Sequence, residues 1–233
     1  MEINGIQKLT LLDYPGKVAC TVFLAGCDLR CPFCHNSELW SSKAPAVMTD
    51  EELYAFLKKR RGMLDGVAFT GGEPTLREDL EEVIRNVRAL GYSVKLDSNG
   101  AHPEKLRRLV ESGLVDYVAM DVKNDPARYA ETCGKKEMDL SPIAESIDLL
   151  LHGSVDYEFR TTVVRELHDE TSFINIGRMI RGAKRYFLQP FADRDTVLFA
   201  GFTAPSPAEM EKYLEAVKPF VMHAEIRGMD RGE

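Results

Sequence analysis

The sequence predicts an α/β fold: a partial open (β/α)6 barrel of parallel strands with helices outside and a short N-terminal strand or hairpin. Three observations carry that expectation. Six short runs rich in β-branched and aromatic residues recur along the chain. The segments between them place apolar residues at helical spacing, and several helix starts carry capping signals. Strand and helix in alternation imply right-handed crossovers, hence a parallel sheet covered by helices. Six units are too few for an eight-fold closure, and a doubly wound open sheet is the structural rival.

Taken in order, residues 3–12 read as an extra strand or hairpin that plugs or flanks the barrel. The β-rich runs follow at 18–24, 66–70, 93–97, 115–121, 157–164 and 185–189, short and bounded by turn residues. After the second run, Leu76, Leu80, Val83, Ile84, Val87 and Leu90 fall on one helical face, and a later helix carries Ile143, Ile147, Leu150 and Leu151. Thr49 with Glu52, Thr75 with Glu78, and Ser206 with Glu209 each match a capping box. Pro142 and Pro207 each follow a serine at the first helical position, where a missing N–H costs nothing. With no repeat, low-complexity tract or linker, the chain reads as a single domain over 1–233. Its core covers residues 15–190, and 193–233 hold a C-terminal helix and a last strand near 220–227.

The chain has 233 residues, 44% hydrophobic and 29% charged, with a net charge of −7. That charge argues against a nucleic-acid partner held by phosphate neutralisation. No apolar run reaches the ~18 residues of a membrane span, and Met1-Glu2-Ile3-Asn4 lacks the basic flank and apolar stretch of a signal peptide. A cytoplasmic protein with no membrane partner is expected.

Five cysteines are present, three of them inside Gly26-Cys27-Asp28-Leu29-Arg30-Cys31-Pro32-Phe33-Cys34-His35-Asn36. An odd, crowded set does not suit a secreted disulfide framework. Three thiolates at Cys-x3-Cys-x2-Cys spacing can hold three corners of a cubane iron–sulfur cluster and leave the fourth iron open for a small ligand. The competing reading is tetrahedral zinc on the same cysteines with His35, against which the adjacency of Cys34 and His35 counts. Cys20 reads as a buried apolar residue, and Cys133 receives no role.

Further polar groups sit at strand ends, where parallel α/β folds place ligands. Thr70-Gly71-Gly72-Glu73-Pro74 follows the second run: glycines allow a close approach of backbone to ligand, and a carboxylate suits an ammonium group. Taken alone, the same residues make an ordinary turn. Asp97-Ser98-Asn99-Gly100 and Met120-Asp121-Val122-Lys123 end the third and fourth runs. In the fifth, Glu158, Arg160 and Thr162 alternate with Tyr157, Phe159 and Thr161, which suits a ligand-lined lumen or, on an edge strand, a solvated face.

The cysteine triplet followed by Gly71-Gly72-Glu73-Pro74 resembles the radical S-adenosylmethionine (SAM) superfamily. Asp13-Tyr14-Pro15-Gly16, Cys34-His35-Asn36, Leu96-Asp97-Ser98-Asn99-Gly100 and Met120-Asp121-Val122-Lys123 are similar to the activating enzymes of glycyl radical enzymes, pyruvate formate-lyase activase among them. The segment from Gln7 to Lys17 is most similar to the anaerobic ribonucleoside-triphosphate reductase branch. The resemblance implies a single radical SAM domain in which Cys27, Cys31 and Cys34 ligate a 4Fe-4S cluster and SAM chelates the fourth iron. Gly71, Gly72 and Glu73 would meet the SAM amino group, and Phe33, beside Cys34 and His35, the adenine. Asp121, Val122 and Lys123 would lie near the ribose and carboxylate, with Arg160 as a basic residue on strand five. Asp97, Ser98, Met120 and Asp121 match a monovalent cation site, and Asp13 an acid near the incoming glycyl loop. In one departure, 188–192 read Leu-Gln-Pro-Phe-Ala where the activase has a histidine, with Gln189 as a stand-in.

The implied activity is reductive cleavage of SAM to a 5′-deoxyadenosyl radical, which takes a glycine Cα hydrogen from a partner glycyl radical enzyme, anaerobic ribonucleotide reductase being the expected one. Flavodoxin or ferredoxin would supply the electron, with Lys58-Lys59-Arg60-Arg61 as a docking patch or simply a solvated helix end. A small-molecule radical SAM reaction of the deazapurine ring-contraction type, and a structural zinc module, stay open as alternatives.

Overall fold

In the computed structural model, which describes residues Met1–Met229, the sequence runs condense into elements near their expected bounds. Strands β1 (Glu2–Ile3) and β2 (Gly5–Thr10) open the chain, followed by β3 (Ala19–Leu24), β4 (Met48–Thr49), α1 (Asp50–Lys59) and β5 (Gly66–Gly71). Then come α2 (Leu80–Ala89), β6 (Ser93–Ser98), α3 (Pro103–Glu111), β7 (Tyr117–Asp121), α4 (Tyr129–Thr132) and α5 (Ser141–His152). β8 (Asp156–Val163), α6 (Glu170–Met179), β9 (Tyr186–Pro190), α7 (Pro207–Val217) and β10 (Ala224–Ile226) complete it. This is the α/β class, with mostly parallel strands and helices between them.

The chain divides into two compact units. The first comprises Met1–Asp28, Glu38–Ser98 and His102–Ala119. Its strands run in the order β2-β3-β5-β6. β3 and β5 are parallel from Ala19↔Gly66 to Leu24↔Gly71, and β5 and β6 from Gly66↔Ser93 to Phe69↔Leu96. β2 is the antiparallel edge, with a register shift between Gln7 and Thr10. The interior strands bury nearly every residue, as parallel strands covered on both faces do. Leu53 and Leu57 of α1, Leu80, Val83, Ile84 and Val87 of α2, and Leu106 and Leu109 of α3 supply the buried helical faces.

The second unit comprises Leu29–Ser37, Asn99–Ala101 and the chain from Met120 onward. Here β8 and β9 are parallel from Phe159↔Tyr186 to Val163↔Pro190, and β10 adds in parallel to β9. Phe173 and Ile176 of α6 and Met210 and Val217 of α7 are buried, with the Phe173 and Tyr213 rings stacked at 4.8 Å.

Capping boxes form at Thr49–Glu52 and Ser206–Glu209. The expected Thr75–Glu78 box does not. Glu73 instead caps a short 3-10 turn over Pro74–Leu76, taking both the backbone N–H and the hydroxyl of Thr75. Glu78 pairs with Lys105 at 3.1 Å, and α2 starts only at Leu80. A carboxylate two residues upstream outcompetes one three residues downstream because the proline has already bent the chain. Ser141, not Pro142, is the first residue of α5, while Pro207 opens α7 as expected.

Candidate functional site

In the first unit, Gly71 ends β5 beside the end of β3, and Gly72 follows it. A Cβ on Gly71, whose φ is +120°, would lie 2.4 Å from the Leu24 carbonyl oxygen. A Cβ on Gly72 would lie 2.3 Å from that of Gly26. These glycines therefore make room for the protein's own backbone. The Gly72 N–H donates to Leu24 O (2.8 Å) and the Glu73 N–H to Gly26 O (2.7 Å). The Gly26 and Cys27 N–H groups donate to Leu39 O (2.8 Å) and Trp40 O (3.2 Å). The segment that carries Cys27 is thus clamped from both sides by main-chain bonds.

Glu73 is 1% exposed. Its Oε1 accepts from Thr75 N (3.0 Å), the Thr75 hydroxyl and Ser98 Oγ (3.1 Å). So Glu73 and Ser98, both singled out in sequence, are brought together. Asp97 forms an ion pair with Lys95, a residue that sequence reasoning passed over. Asp13 accepts from Thr21 Oγ1 at 2.5 Å, which anchors the loop after β2 to β3.

In the second unit, the Cys34 N–H donates to Cys31 O (3.0 Å), and the Asn36 N–H points at Cys34 Sγ (3.4 Å), a contact that favours a thiolate. Cys31 is buried. A hydrogen bond from Cys133 and the nearby Lys123 ammonium, against the opposing effect of burial, draw its thiol down to about 7. The Arg30 N–H donates to Cys133 O at 2.9 Å, which fixes Cys133 beside this loop. Phe33 is buried. His35 stacks on Phe191 at 5.6 Å and donates from Nε2 to Ala192 O at 2.6 Å. The segment that lacks the expected histidine thus packs against one from the cysteine loop. Gln189 pairs with Thr162 in the β8–β9 register.

Asp121, Lys123 and Arg160 form one charged cluster. Arg160 meets Asp121 Oδ1 at 3.0 and 2.9 Å, and Lys123 meets Oδ2 at 2.8 Å. Burial opposes ionisation of the Asp121 carboxyl, but the two cations outweigh it and hold its pKa well below the carboxylate range. Val122 keeps the strand in place, its N–H donating to Arg160 O (2.8 Å) and its carbonyl accepting from Thr161 Oγ1 (2.6 Å). Glu158 holds Arg227 through two bonds of 2.9 and 3.1 Å. The α1 end with Lys58 and Lys59 is exposed.

His168 is a further residue missed in sequence. Its Nδ1 accepts from Val164 N–H (3.1 Å) and its Nε2 donates to Lys123 O (2.9 Å), so the neutral ring positions the lysine's main chain. Burial lowers its pKa below 6.5, with the Lys123 carbonyl opposing. Below about pH 6.5 the unfolded chain therefore binds the proton that the folded state resists. The contribution is complete above that pH and fades as pH falls toward the folded pKa. His168→Gln is expected to flatten that acid limb and cost about 1–2 kcal/mol at neutral pH, read from urea unfolding near pH 5 and pH 8. An unchanged limb would remove His168 as its source.

The Radical SAM superfamily profile matches residues 21–171. A Methanocaldococcus jannaschii protein provisionally named a glycyl-radical enzyme activating enzyme is 32% identical over 231 residues, covering 97% of this chain and 95% of its own. A pyruvate formate-lyase-activating enzyme of Clostridium pasteurianum is 28% identical over 200 residues, 82% of each chain. Among solved structures, Streptococcus suis SuiB bound to its precursor peptide SuiA superposes with a TM-score of 0.68 at 13% identity. It covers 90% of this chain and 48% of SuiB, and shows the fold alone. No helix among the described residues is long and apolar enough to cross a membrane. The family uses a 4Fe-4S cluster and SAM, which answers the choice between cluster and zinc that the cysteine spacing left open. With the profile spanning well over half of the sequence, the chain belongs to the radical SAM superfamily.

Proposed function

We propose that the protein is a radical SAM activase that installs a glycyl radical on a partner enzyme. The observation that carries this reading is the end-to-end match to the methanogen protein, 97% of this chain against 95% of that one.

The donor set fits the implied group: Cys31 has a thiol already drawn toward ionisation, and Cys34 receives a main-chain N–H at sulfur. Cys27, Cys31 and Cys34 would hold a 4Fe-4S cluster. When bound, such a cluster supplies one low-potential electron to SAM. This chain's own residues bind and orient. The main-chain clamp between Glu73 and Gly26 fixes the Cys27 segment. Lys123 and Arg160 together carry one positive charge more than Asp121 offsets, and so suit the carboxylate of SAM. Glu73 would meet its amino group and Phe33 its adenine. Asp13, tied to Thr21, would stand near the incoming glycyl loop. Flavodoxin or ferredoxin would supply the electron, and anaerobic ribonucleotide reductase is the proposed partner.

The test mixes reconstituted protein, SAM and reductant with glycyl radical enzymes, ribonucleotide reductase first. A glycyl doublet by electron paramagnetic resonance is expected. A Hyperthermus butylicus 7-carboxy-7-deazaguanine synthase is 38% identical over 95 residues, 40% of each chain, and favours a second reading with a small-molecule substrate. SAM cleavage coupled to conversion of a deazapurine precursor, with no doublet on any partner, would replace the activase reading.

A further inference from the structure

Lys95 is the one lysine among the largest fully buried side chains of the described residues. It lies in β6 two residues before Asp97, so both side chains project from the same face of the strand. Its side chain is 2% exposed, and its ammonium is ion-paired with the Asp97 carboxylate. A buried ammonium persists only where an anion and hydrogen bonds replace its hydration. Asp97 supplies that anion.

The resemblance set out above gives Asp97, with Ser98, Met120 and Asp121, to a monovalent metal ion. The residues present do not suit one. Asp97 is neutralised by Lys95. Asp121 is held by both Lys123 and Arg160. Ser98 turns its hydroxyl toward Glu73. Asp121 by itself faces two fixed cations, an excess of one positive charge there before any ligand arrives. A cofactor carboxylate cancels that excess, whereas a metal ion adds to it.

We propose that Lys95 is a built-in counter-cation, its ammonium taking the place at Asp97 that a monovalent metal ion would otherwise fill, so that SAM binding in this protein is independent of potassium and sodium. The inference rests on the reading that SAM binds at these residues, and the experiment separates the two. Reconstituted wild type and Lys95→Met are dialysed against labelled SAM in potassium chloride or tetramethylammonium chloride at equal ionic strength. Equal ionic strength keeps general screening constant.

For the wild type, the Kd for SAM is expected to agree between the two salts to within about twofold. For Lys95→Met, it is expected to weaken about tenfold in tetramethylammonium and to recover in potassium. A wild-type affinity that tightens about tenfold with potassium overturns the proposal, as does a Lys95→Met protein that binds like wild type in both salts. Failure of the wild type to bind SAM in either salt overturns the cofactor-site reading on which the proposal rests.

A second measurement needs no cluster. The melting temperature of the metal-free wild type should be the same in both salts, and that of Lys95→Met higher in potassium. A wild-type melting temperature raised specifically by potassium overturns the proposal even where the variant cannot be loaded.

Discussion

Cys31→Ala should give a folded, monodisperse protein that retains little iron after anaerobic reconstitution and cleaves SAM at least about 1,000-fold more slowly than wild type, a loss of about 4 kcal/mol in barrier terms. The two parts of that expectation have separate causes. Cys31 is buried, but the loop around it is held mainly by main-chain bonds, Cys34 N–H to Cys31 O (3.0 Å) and Arg30 N–H to Cys133 O (2.9 Å). Removing one sulfur leaves those bonds intact and costs about 1 kcal/mol of packing. The thiol, by contrast, is the group that Cys133 and Lys123 draw toward ionisation, and its loss removes one of the three expected sulfur ligands. Cys133→Ala is the matched control: it removes the hydrogen-bonding neighbour and should leave iron content near wild type. Full iron content and SAM cleavage in Cys31→Ala would refute the ligand assignment. Equal iron loss in both variants would put Cys133 among the ligands.

The strands were the most legible part of the fold. The run expected at 18–24 is β3 at Ala19–Leu24, and that expected at 66–70 is β5 at Gly66–Gly71. Their apolar runs are nearly continuous, and burial on both faces leaves no other structure for such short segments. The last strand, expected near 220–227, is β10 at Ala224–Ile226. Local chemistry misled at Thr75, where Glu73 competes for the hydroxyl that a capping box would need. Spacing fits a motif without ranking its rivals.

The charged partners of the site were less legible, for a physical reason. His168 reaches the carbonyl of Lys123 across 45 residues, and Arg227 reaches Glu158 across 69. No periodicity encodes such a pairing, and a histidine or arginine in a polar stretch reads as solvated surface. Lys95 is no more legible: nothing in its local sequence marks a lysine for burial, yet it is 1% exposed. Its charge is tolerated because its partner lies two residues away on the same face. The glycines at 71 and 72 are expected to let backbone approach a ligand, whereas the atoms that approach them belong to residues 24 and 26.

That last distinction carries a strong expectation for Gly72→Ala. The new Cβ would sit 2.3 Å from Gly26 O, 2.8 Å from Gly26 C and 3.0 Å from Leu39 O. All three are main-chain atoms, so no side chain can swing aside and the backbone must move. Overpacking of this kind costs about 3 kcal/mol, a fall in melting temperature of about 10 °C for a chain of this size. Displacement of residue 26 also breaks the Glu73 N–H to Gly26 O bond and shifts Cys27, so iron loading should fall along with stability. Gly113→Ala is the comparison: its φ is +64° with nothing within 4 Å of the added Cβ. It should therefore cost only the left-handed strain of about 1 kcal/mol and leave iron loading unchanged. If ligand approach rather than chain approach were the reason for Gly72, the variant would melt like wild type, load iron normally and lose only SAM affinity. The coupled loss of melting temperature and iron content is what a backbone clamp on the Cys27 segment requires.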